Sequence, residues 1–183
     1  MMNRLNTAAG TLSVLCLMPL AVQAQSTLAG HTMYLQATYT RCLLQGNAAA
    51  RCTPAQQASM IYFANDGSVF VYFDAEVGVV IPPGQKSGTA DLGEFFDEVV
   101  FSGWTPSFSV TMAVTHKAGT GRPRTVYEWT GNASTSGCSV SSYRLISGVH
   151  GAQMRDARPL GCTIRRGRHA WPKAPLTWPI AWP

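Results

Sequence analysis

The stretch MIYFANDGSVFVYF, residues 60–73, is the part of this chain that most strongly predicts a fold. Two runs of apolar and aromatic residues, 60–64 and 69–73, flank a turn that contains Asp66 and Gly67. Asp-Gly between two such runs is a strong short-range signal of a β-hairpin, because tight hairpin turns need residues that accept positive φ angles. The stretch therefore predicts two antiparallel strands joined by a short turn.

Alternation of apolar and polar residues extends this pattern to both sides of the hairpin. It predicts further strands over residues 32–40, 107–114, 125–130, 138–146 and 160–165. Mostly short turns join these segments, which favours antiparallel pairing. The sequence thus predicts an all-β fold of about seven strands, built either as a small antiparallel barrel or as a two-sheet sandwich.

One segment departs from the period of two. The spacing i, i+3, i+4, i+7, i+8, which corresponds to one face of a helix, is found at Leu92, Phe95, Phe96, Val99 and Val100. The sequence therefore predicts one short helix near residues 91–98.

Residues 1–24 have the pattern of a secretory signal peptide. Arg4 precedes a run of mostly apolar or small residues, 8–22, and a small-residue exit site ends at Ala24. The run is shorter than the roughly 20 apolar residues of a membrane span, and Pro19 interrupts it. We therefore expect cleavage near Ala24, a mature chain that begins at Gln25, and a periplasmic or secreted location.

Four cysteines remain after that cleavage. An even number in an exported chain indicates two disulfides, for which three connectivities are open. The simplest is local pairing, of Cys42 with Cys52 and of Cys138 with Cys162. Because no close pair of the type C-x2-C is present, a zinc site is not expected. The sequence predicts neither a metal nor a cofactor.

Positive charge is concentrated at the end of the chain. Residues 25–154 carry seven basic and eight acidic side chains, whereas residues 155–183 carry six basic and one acidic. A nucleic-acid-binding core is therefore not expected, because such a core would itself be basic. The length of the mature chain suits one β-rich domain, which we predict over residues 25–166.

The basic end, residues 167–183, is predicted to be an extended or disordered tail, because proline at its density disfavours helices and central strands. Arginine binds lipid phosphate, and indole rings settle at the membrane interface. These two chemistries predict a lipid- or partner-binding segment composed of Arg165, Arg166, Arg168, Trp171, Lys173 and Trp178.

Signatures of catalysis are weak. The four histidines have no spacing typical of a metal site, and the motif G-x-S-x-G is absent. We predict no catalytic residue. A small secreted hydrolase, in which His116 or His150 works with an acid from residues 91–98, remains an alternative hypothesis.

The layout resembles a group of small secreted proteins of rhizobial and related α-proteobacteria, a group without an assigned activity. The resemblance covers about residues 28–162 and is carried by the leader and by IYF (61–63), DGSVF (66–70), SFSVT (107–111) and GCSV (137–140). A weaker likeness, through the Cys42/Cys52 pair, is to small periplasmic β-barrel protease inhibitors. This chain has HTMY (31–34) where those barrels have a first-strand tryptophan.

Three functional hypotheses follow from the sequence. The first is an exported, non-enzymatic β-domain that binds an unidentified ligand of the cell envelope or the extracellular space. The second is an envelope-associated protein whose basic Trp/Pro tail contacts anionic lipid. The third is the small secreted hydrolase.

Overall fold

Ten strands account for most of the residues that the computed structural model describes, which are 27–43, 51–73, 78–117, 124–147 and 152–169. The strands are β1 (His31–Leu43), β2 (Arg51–Phe63), β3 (Val69–Phe73), β4 (Val79–Ile81), β5 (Ser87–Asp91), β6 (Phe95–Gly103), β7 (Ser107–His116), β8 (Arg124–Ser134), β9 (Gly137–Ser147) and β10 (Ala152–Arg166). The predicted signal peptide and residues 170–183 of the predicted tail lie outside the described residues.

The strands form two five-stranded antiparallel sheets. Sheet A has the order β10-β1-β2-β3-β4, and sheet B has the order β5-β6-β7-β8-β9. Side chains from both sheets share one hydrophobic core. Over the described residues the fold is thus a two-sheet sandwich, so that the all-β prediction is confirmed. The barrel alternative and the count of seven strands are wrong.

Side chains that alternate between the two faces of each strand fill the core. The inward-facing side chains of sheet A include Met33, Leu35, Ile61, Phe63 and Phe73. Those of sheet B include Val99, Phe101, Met112, Tyr127 and Trp129. Because successive side chains of a strand point to opposite faces, the residues between these positions form the two outer faces of the sandwich.

The predicted hairpin joins β2 to β3. Phe63 pairs with Val69, and the amide of Ala64 donates a hydrogen bond to the carbonyl of Ser68 at 2.9 Å. The carboxylate of Asp66 accepts a hydrogen bond of 2.9 Å from the amide of Ser68, and Gly67 has a φ of +87°. The Asp-Gly pair therefore has the role in the turn that the sequence predicted.

Replacing Gly67 with alanine is expected to destabilise the protein by about 1–2 kcal/mol, because an L-residue is strained at this positive φ. The matched control is Gly137→Ala, since a Cβ at Gly137 meets nothing within 4 Å and its φ is not positive. The control should change the free energy of unfolding by less than about 0.5 kcal/mol. Urea denaturation of both variants checks the prediction, and equal effects of the two substitutions would contradict it.

The short helix predicted near residues 91–98 is wrong. Gly93, with a φ of +76°, lies in the turn between β5 and β6, and the chain is extended from Phe95 onward. The β-branched pair Val99 and Val100 favours a strand, in which Val99 faces the core and Val100 faces outward. The helical spacing in this segment arises because both faces of β6 carry large apolar residues.

Both disulfides have the local pairing. Cys42–Cys52 joins the paired strands β1 and β2, with the two Cα atoms 4.0 Å apart. Cys138–Cys162 joins β9 to β10, which are edge strands of different sheets, so this bond fastens sheet A to sheet B. Disulfides are typical of proteins in oxidising compartments such as the periplasm or the extracellular space. Within the described residues, no helix is long and apolar enough to span a membrane.

Candidate functional site

The outer face of sheet A carries a cluster of large side chains at its centre. The strand register places Thr32 beside Tyr62, and Tyr62 beside Phe70. The next row of the same face contains Tyr34, Met60 and Tyr72. We call the five members Tyr34, Met60, Tyr62, Phe70 and Tyr72 the aromatic patch. Tyr34 is 1 % exposed and Met60 is 0 % exposed, although both lie on the side of the sheet opposite the core.

Burial has an electrostatic consequence at Tyr34. Removal from water raises the pKa of its hydroxyl, because the phenolate form loses its hydration, and the positive charge of Arg165 partly offsets this rise. Tyr34 therefore remains neutral at physiological pH and behaves as part of an apolar layer.

A row of arginines runs along the edge of the same face. Arg155, Arg158 and Arg165 of β10 pair with Thr40, Thr38 and Thr32 of β1, and all three arginines are exposed. Paired residues of adjacent strands point to the same side of a sheet, so the three arginines lie on the same outer face as the aromatic patch, and Arg165 is in the row of Tyr62 and Phe70. We call these three residues the arginine row.

Charge is divided between the two sheets. The strands of sheet A contain six arginines and one aspartate, a net charge of +5. The strands of sheet B contain two arginines and four acidic residues, a net charge of −2. Over the described strands, sheet A therefore carries an excess of positive charge, whereas Asp97 of sheet B is buried and the outward acids of that sheet are paired with Lys117, Arg124 and Arg144.

The described chain ends on the aromatic patch. After β10, the amide of Gly167 donates a hydrogen bond of 2.7 Å to the carbonyl of Gly30, and the hydroxyl of Thr32 donates one of 2.6 Å to the carbonyl of Gly167. Gly167 has a φ of +100°, a conformation that glycine adopts without strain. These contacts turn the chain from the edge strand onto the outer face of sheet A.

Arg168 and His169 continue across that face. The guanidinium carbon of Arg168 lies 4.8 Å from the ring centroid of Phe70 and 5.8 Å from that of Tyr62, within the range of cation–π attraction. The ring of His169 meets that of Tyr34 edge-on, with 5.9 Å between the centroids. The segment 167–169 is thus fixed to the aromatic patch by side-chain and backbone contacts.

Three of the six predicted lipid- or partner-binding residues are described. Arg165 and Arg166 are exposed at the end of β10, whereas Arg168 lies on the aromatic patch. The other three, Trp171, Lys173 and Trp178, lie outside the described residues. Arg155 and Arg158 were not predicted, although they share a face with Arg165.

Charged side chains on the outer face of sheet B form ion pairs with one another. Arg124 contacts Glu98 at 2.8 Å, and Arg144 contacts Glu128 at 3.5 Å. Lys117 forms an ion pair with Asp91, and its hydrogen bond, with that of the Gly93 amide, lowers the pKa of the Asp91 carboxyl. Three of the acids from 91–98, namely Asp91, Asp97 and Glu98, therefore do not form a carboxylate pair over a cleft. Asp91 and Glu98 pair with cations outside, and Asp97 is buried on the inner side of β6.

The described histidines are not arranged for hydrolysis. The ring of His116 packs on Phe95, with 5.1 Å between the centroids, and His31 contacts the carbonyl of Ala29. Neither one hydrogen-bonds to a carboxylate or to a serine hydroxyl in the described part of the chain. His150, the other histidine of the hydrolase hypothesis, lies outside the described residues. Among the described residues, no group of three or more His, Cys, Asp or Glu could hold a metal ion.

A shallow groove of about 410 Å³ lies on the outer face of sheet B. Its lining is rich in hydroxyl and amide groups, from Ser102, Ser107, Ser109, Thr130, Asn132 and Ser141. Several of these groups already pair with one another, such as Ser107 with Asn132 at 3.1 Å. Sequence reasoning missed this groove, because it forms where irregular pairing at Gly103 and Gly131 bends the sheet.

Comparison with known proteins yields no relative. No known protein family, no curated protein and no solved structure matches this chain. A functional proposal therefore depends on the geometry and charge of the chain itself.

Proposed function

We propose that this protein is an exported, non-catalytic binding domain that attaches to the anionic lipid surface of the cell envelope through the outer face of sheet A. The observation that supports the proposal is the division of charge, with the arginine row exposed along one edge of a sheet whose strands have a net charge of +5. The ligand that the first sequence hypothesis left unidentified is then an anionic lipid surface.

Arginine suits a phosphate-bearing surface. The guanidinium group presents a planar fork of donors that matches phosphate oxygens, and it is weakly hydrated compared with an ammonium group. Arg155 and Arg165 are ten positions apart on an extended strand, which spans about 30 Å at roughly 3.3 Å per residue. An array of that length meets several lipid headgroups at once. A pocket for a single small anion would instead converge its donors on one point.

The unequal charge of the two sheets gives the attachment a direction. Sheet B has a net charge of −2 over its strands, and its outward-facing arginines are paired with glutamates. An anionic surface attracts the excess positive charge of sheet A more strongly than the paired charges of sheet B. The domain should therefore bind with the arginine row towards the lipid and with sheet B towards the solvent.

The full chain is expected to sediment with vesicles of phosphatidylcholine that contain phosphatidylglycerol, and to remain in solution with vesicles of phosphatidylcholine alone. Binding should weaken steeply when the salt concentration rises from about 25 mM to about 300 mM, because salt screens exposed charges. Equal binding to the two vesicle types, or binding that salt does not change, would contradict the proposal. The second result would indicate attachment by apolar insertion.

A further inference from the structure

We propose that the outer face of sheet B carries a binding site for an uncharged oligosaccharide. The site is the shallow groove described above, together with a second concavity that continues from it. The proposal concerns the sheet opposite the arginine row, and it does not depend on the proposed membrane attachment.

Two concavities share one residue and form a single elongated groove. The first has a volume of about 410 Å³ and lies over strands β6–β9. The second, of about 400 Å³, lies at the end of the β8–β9 hairpin, and its lining includes Pro106, Asn132, Ser134, Ser136 and Ser139. Asn132 lines both, and each volume falls within the roughly 300–1,000 Å³ of small-molecule sites. We call the two together the hydroxyl groove, and its elongated shape suits a chain of linked rings.

Glycine shapes the hydroxyl groove from within the strands. Gly103 and Gly131 lie where the pairing of β6 with β7 and of β8 with β9 shifts its register. A Cβ at Gly103 would lie 2.8 Å from the carbonyl oxygen of Ser107, and a Cβ at Gly131 would lie 2.7 Å from the ring of Phe108. Both distances are too short for any residue other than glycine. The concavity therefore belongs to paired strands, which hold a site more precisely than loops do.

The lining of the hydroxyl groove favours a neutral ligand. Among the described residues that line it, every polar side chain belongs to serine, threonine or asparagine. Hydroxyl and amide groups both donate and accept hydrogen bonds, as the hydroxyls of a sugar do. A phosphate or a carboxylate would find no cationic side chain in this lining to form the charge-assisted hydrogen bonds that bind such groups strongly. The matching ligand is therefore uncharged and rich in hydroxyl groups.

The hydroxyls of the lining keep capacity for a ligand. Ser107 donates a hydrogen bond of 3.1 Å to Asn132, and the hydroxyls of Thr130 and Ser142 lie 2.6 Å apart. A hydroxyl has one donor and two acceptor sites, so each paired group can form a further hydrogen bond. The existing pairs also hold these side chains in position before a ligand arrives, which lowers the entropic cost of binding.

The position of the hydroxyl groove argues against a peptide as its occupant. A peptide that adds a strand to a sheet needs an unpaired edge, whereas β7 and β8 are paired on both sides. A proline-rich peptide needs exposed aromatic rings. Phe108, the one aromatic residue among the described lining residues, is 2 % exposed and belongs to the core.

The test is a titration of the isotope-labelled full chain, without vesicles, followed by the amide signals in NMR spectra. The uncharged probes are maltohexaose, cellohexaose and chitohexaose, and the anionic comparison is hexagalacturonate. At least one uncharged probe should bind with a Kd of about 1 mM or tighter, the modest affinity of a site that acts through hydrogen bonds. The signals that move should be those of residues 102–109 and 130–141. Binding of none of the uncharged probes, changes confined to sheet A, or binding of hexagalacturonate alone would overturn the proposal.

A pair of double variants locates the site independently of the spectra. Ser109→Ala with Asn132→Ala removes two polar groups of the hydroxyl groove and should weaken binding of the uncharged probe by at least about tenfold, since each hydrogen bond contributes about 1 kcal/mol. The matched control, Thr111→Ala with Thr115→Ala, removes two hydroxyls of β7 outside the groove and should change the affinity by less than about twofold. Equal losses in the two variants would overturn the proposal. No lipid is present in either experiment, so a failure here is distinguishable from a failure of the proposed function.

Discussion

Replacing Trp129 with alanine is expected to lower the free energy of unfolding by about 3–5 kcal/mol, the range found when large buried aromatic residues are truncated. Trp129 lies at the centre of β8 and is 0 % exposed. Its ring is 4.2 Å from that of Tyr143, centroid to centroid, and it faces the core that the two sheets share. Truncation would leave a cavity that the strands on both sides cannot close without breaking their pairing.

Two comparison variants make this prediction specific. Trp129→Phe keeps an aromatic ring and removes an indole N–H that has no hydrogen-bond partner among the described residues, so it should cost far less than Trp129→Ala. Phe96→Ala removes a ring that is 37 % exposed on the outer face of sheet B, and it should cost less than about 1 kcal/mol. Urea denaturation measures all three. An alanine variant at position 129 that is as stable as the Phe96→Ala variant would contradict the assignment of the core.

The sequence correctly predicted those strands that a clear turn signal or a clear apolar/polar alternation marks. The hairpin of residues 60–73 and the alternation over 107–114 were read correctly, because turn chemistry and burial of one face are local properties. The segment 91–98 was misread, since Phe95, Phe96 and Val100 are large apolar residues on exposed positions of β6. Apolar residues on both faces of a strand remove the period of two, and a helical spacing then appears by coincidence.

The sequence could not distinguish a barrel from a sandwich. Both architectures need the same alternating strands, and they differ in whether the edge strands pair with each other. Here pairing ends at β4 and β10 in one sheet and at β5 and β9 in the other. That outcome depends on contacts between distant parts of the chain, for which periodicity along a single strand carries no signal.

The arginine row shows why only part of the candidate site was predicted. Arg165 was singled out because it belongs to a basic cluster in the sequence. Arg155 and Arg158 have opposite parity in numbering and would point to opposite faces of a regular strand. Irregular pairing between β1 and β10 occurs at Gln36/Ala37 and between Thr38 and Thr40, and Asp156, at the second of these places, has a φ of +55°. These two irregularities bring all three arginines to one face.

The resemblance to rhizobial secreted proteins and the signal peptide over residues 1–24 stay predictions. The tail also stays a prediction from Ala170 onward. Of the predicted tail, the described residue Arg168 lies on Phe70 and Tyr62 of its own domain.

Neutralising the arginine row is the most direct test of membrane attachment through the outer face of sheet A. The triple variant Arg155→Gln, Arg158→Gln, Arg165→Gln should bind vesicles containing phosphatidylglycerol about 100-fold more weakly than the unaltered chain at low salt. The estimate follows from about 1 kcal/mol for each basic residue near an anionic surface. The matched control, Lys86→Gln, Arg124→Gln, Arg144→Gln, removes the same charge on or beside sheet B.

The control should weaken binding by less than about threefold, because its arginines lie on the side of the domain away from the lipid and their exposed ion pairs contribute little to stability. The measurement is the vesicle affinity of the two triple variants, side by side, at about 25 mM salt, where the screening length is roughly 20 Å. A large loss confined to the variant of the arginine row is the predicted result. Equal losses in both variants, or no loss in either, would contradict attachment through the outer face of sheet A.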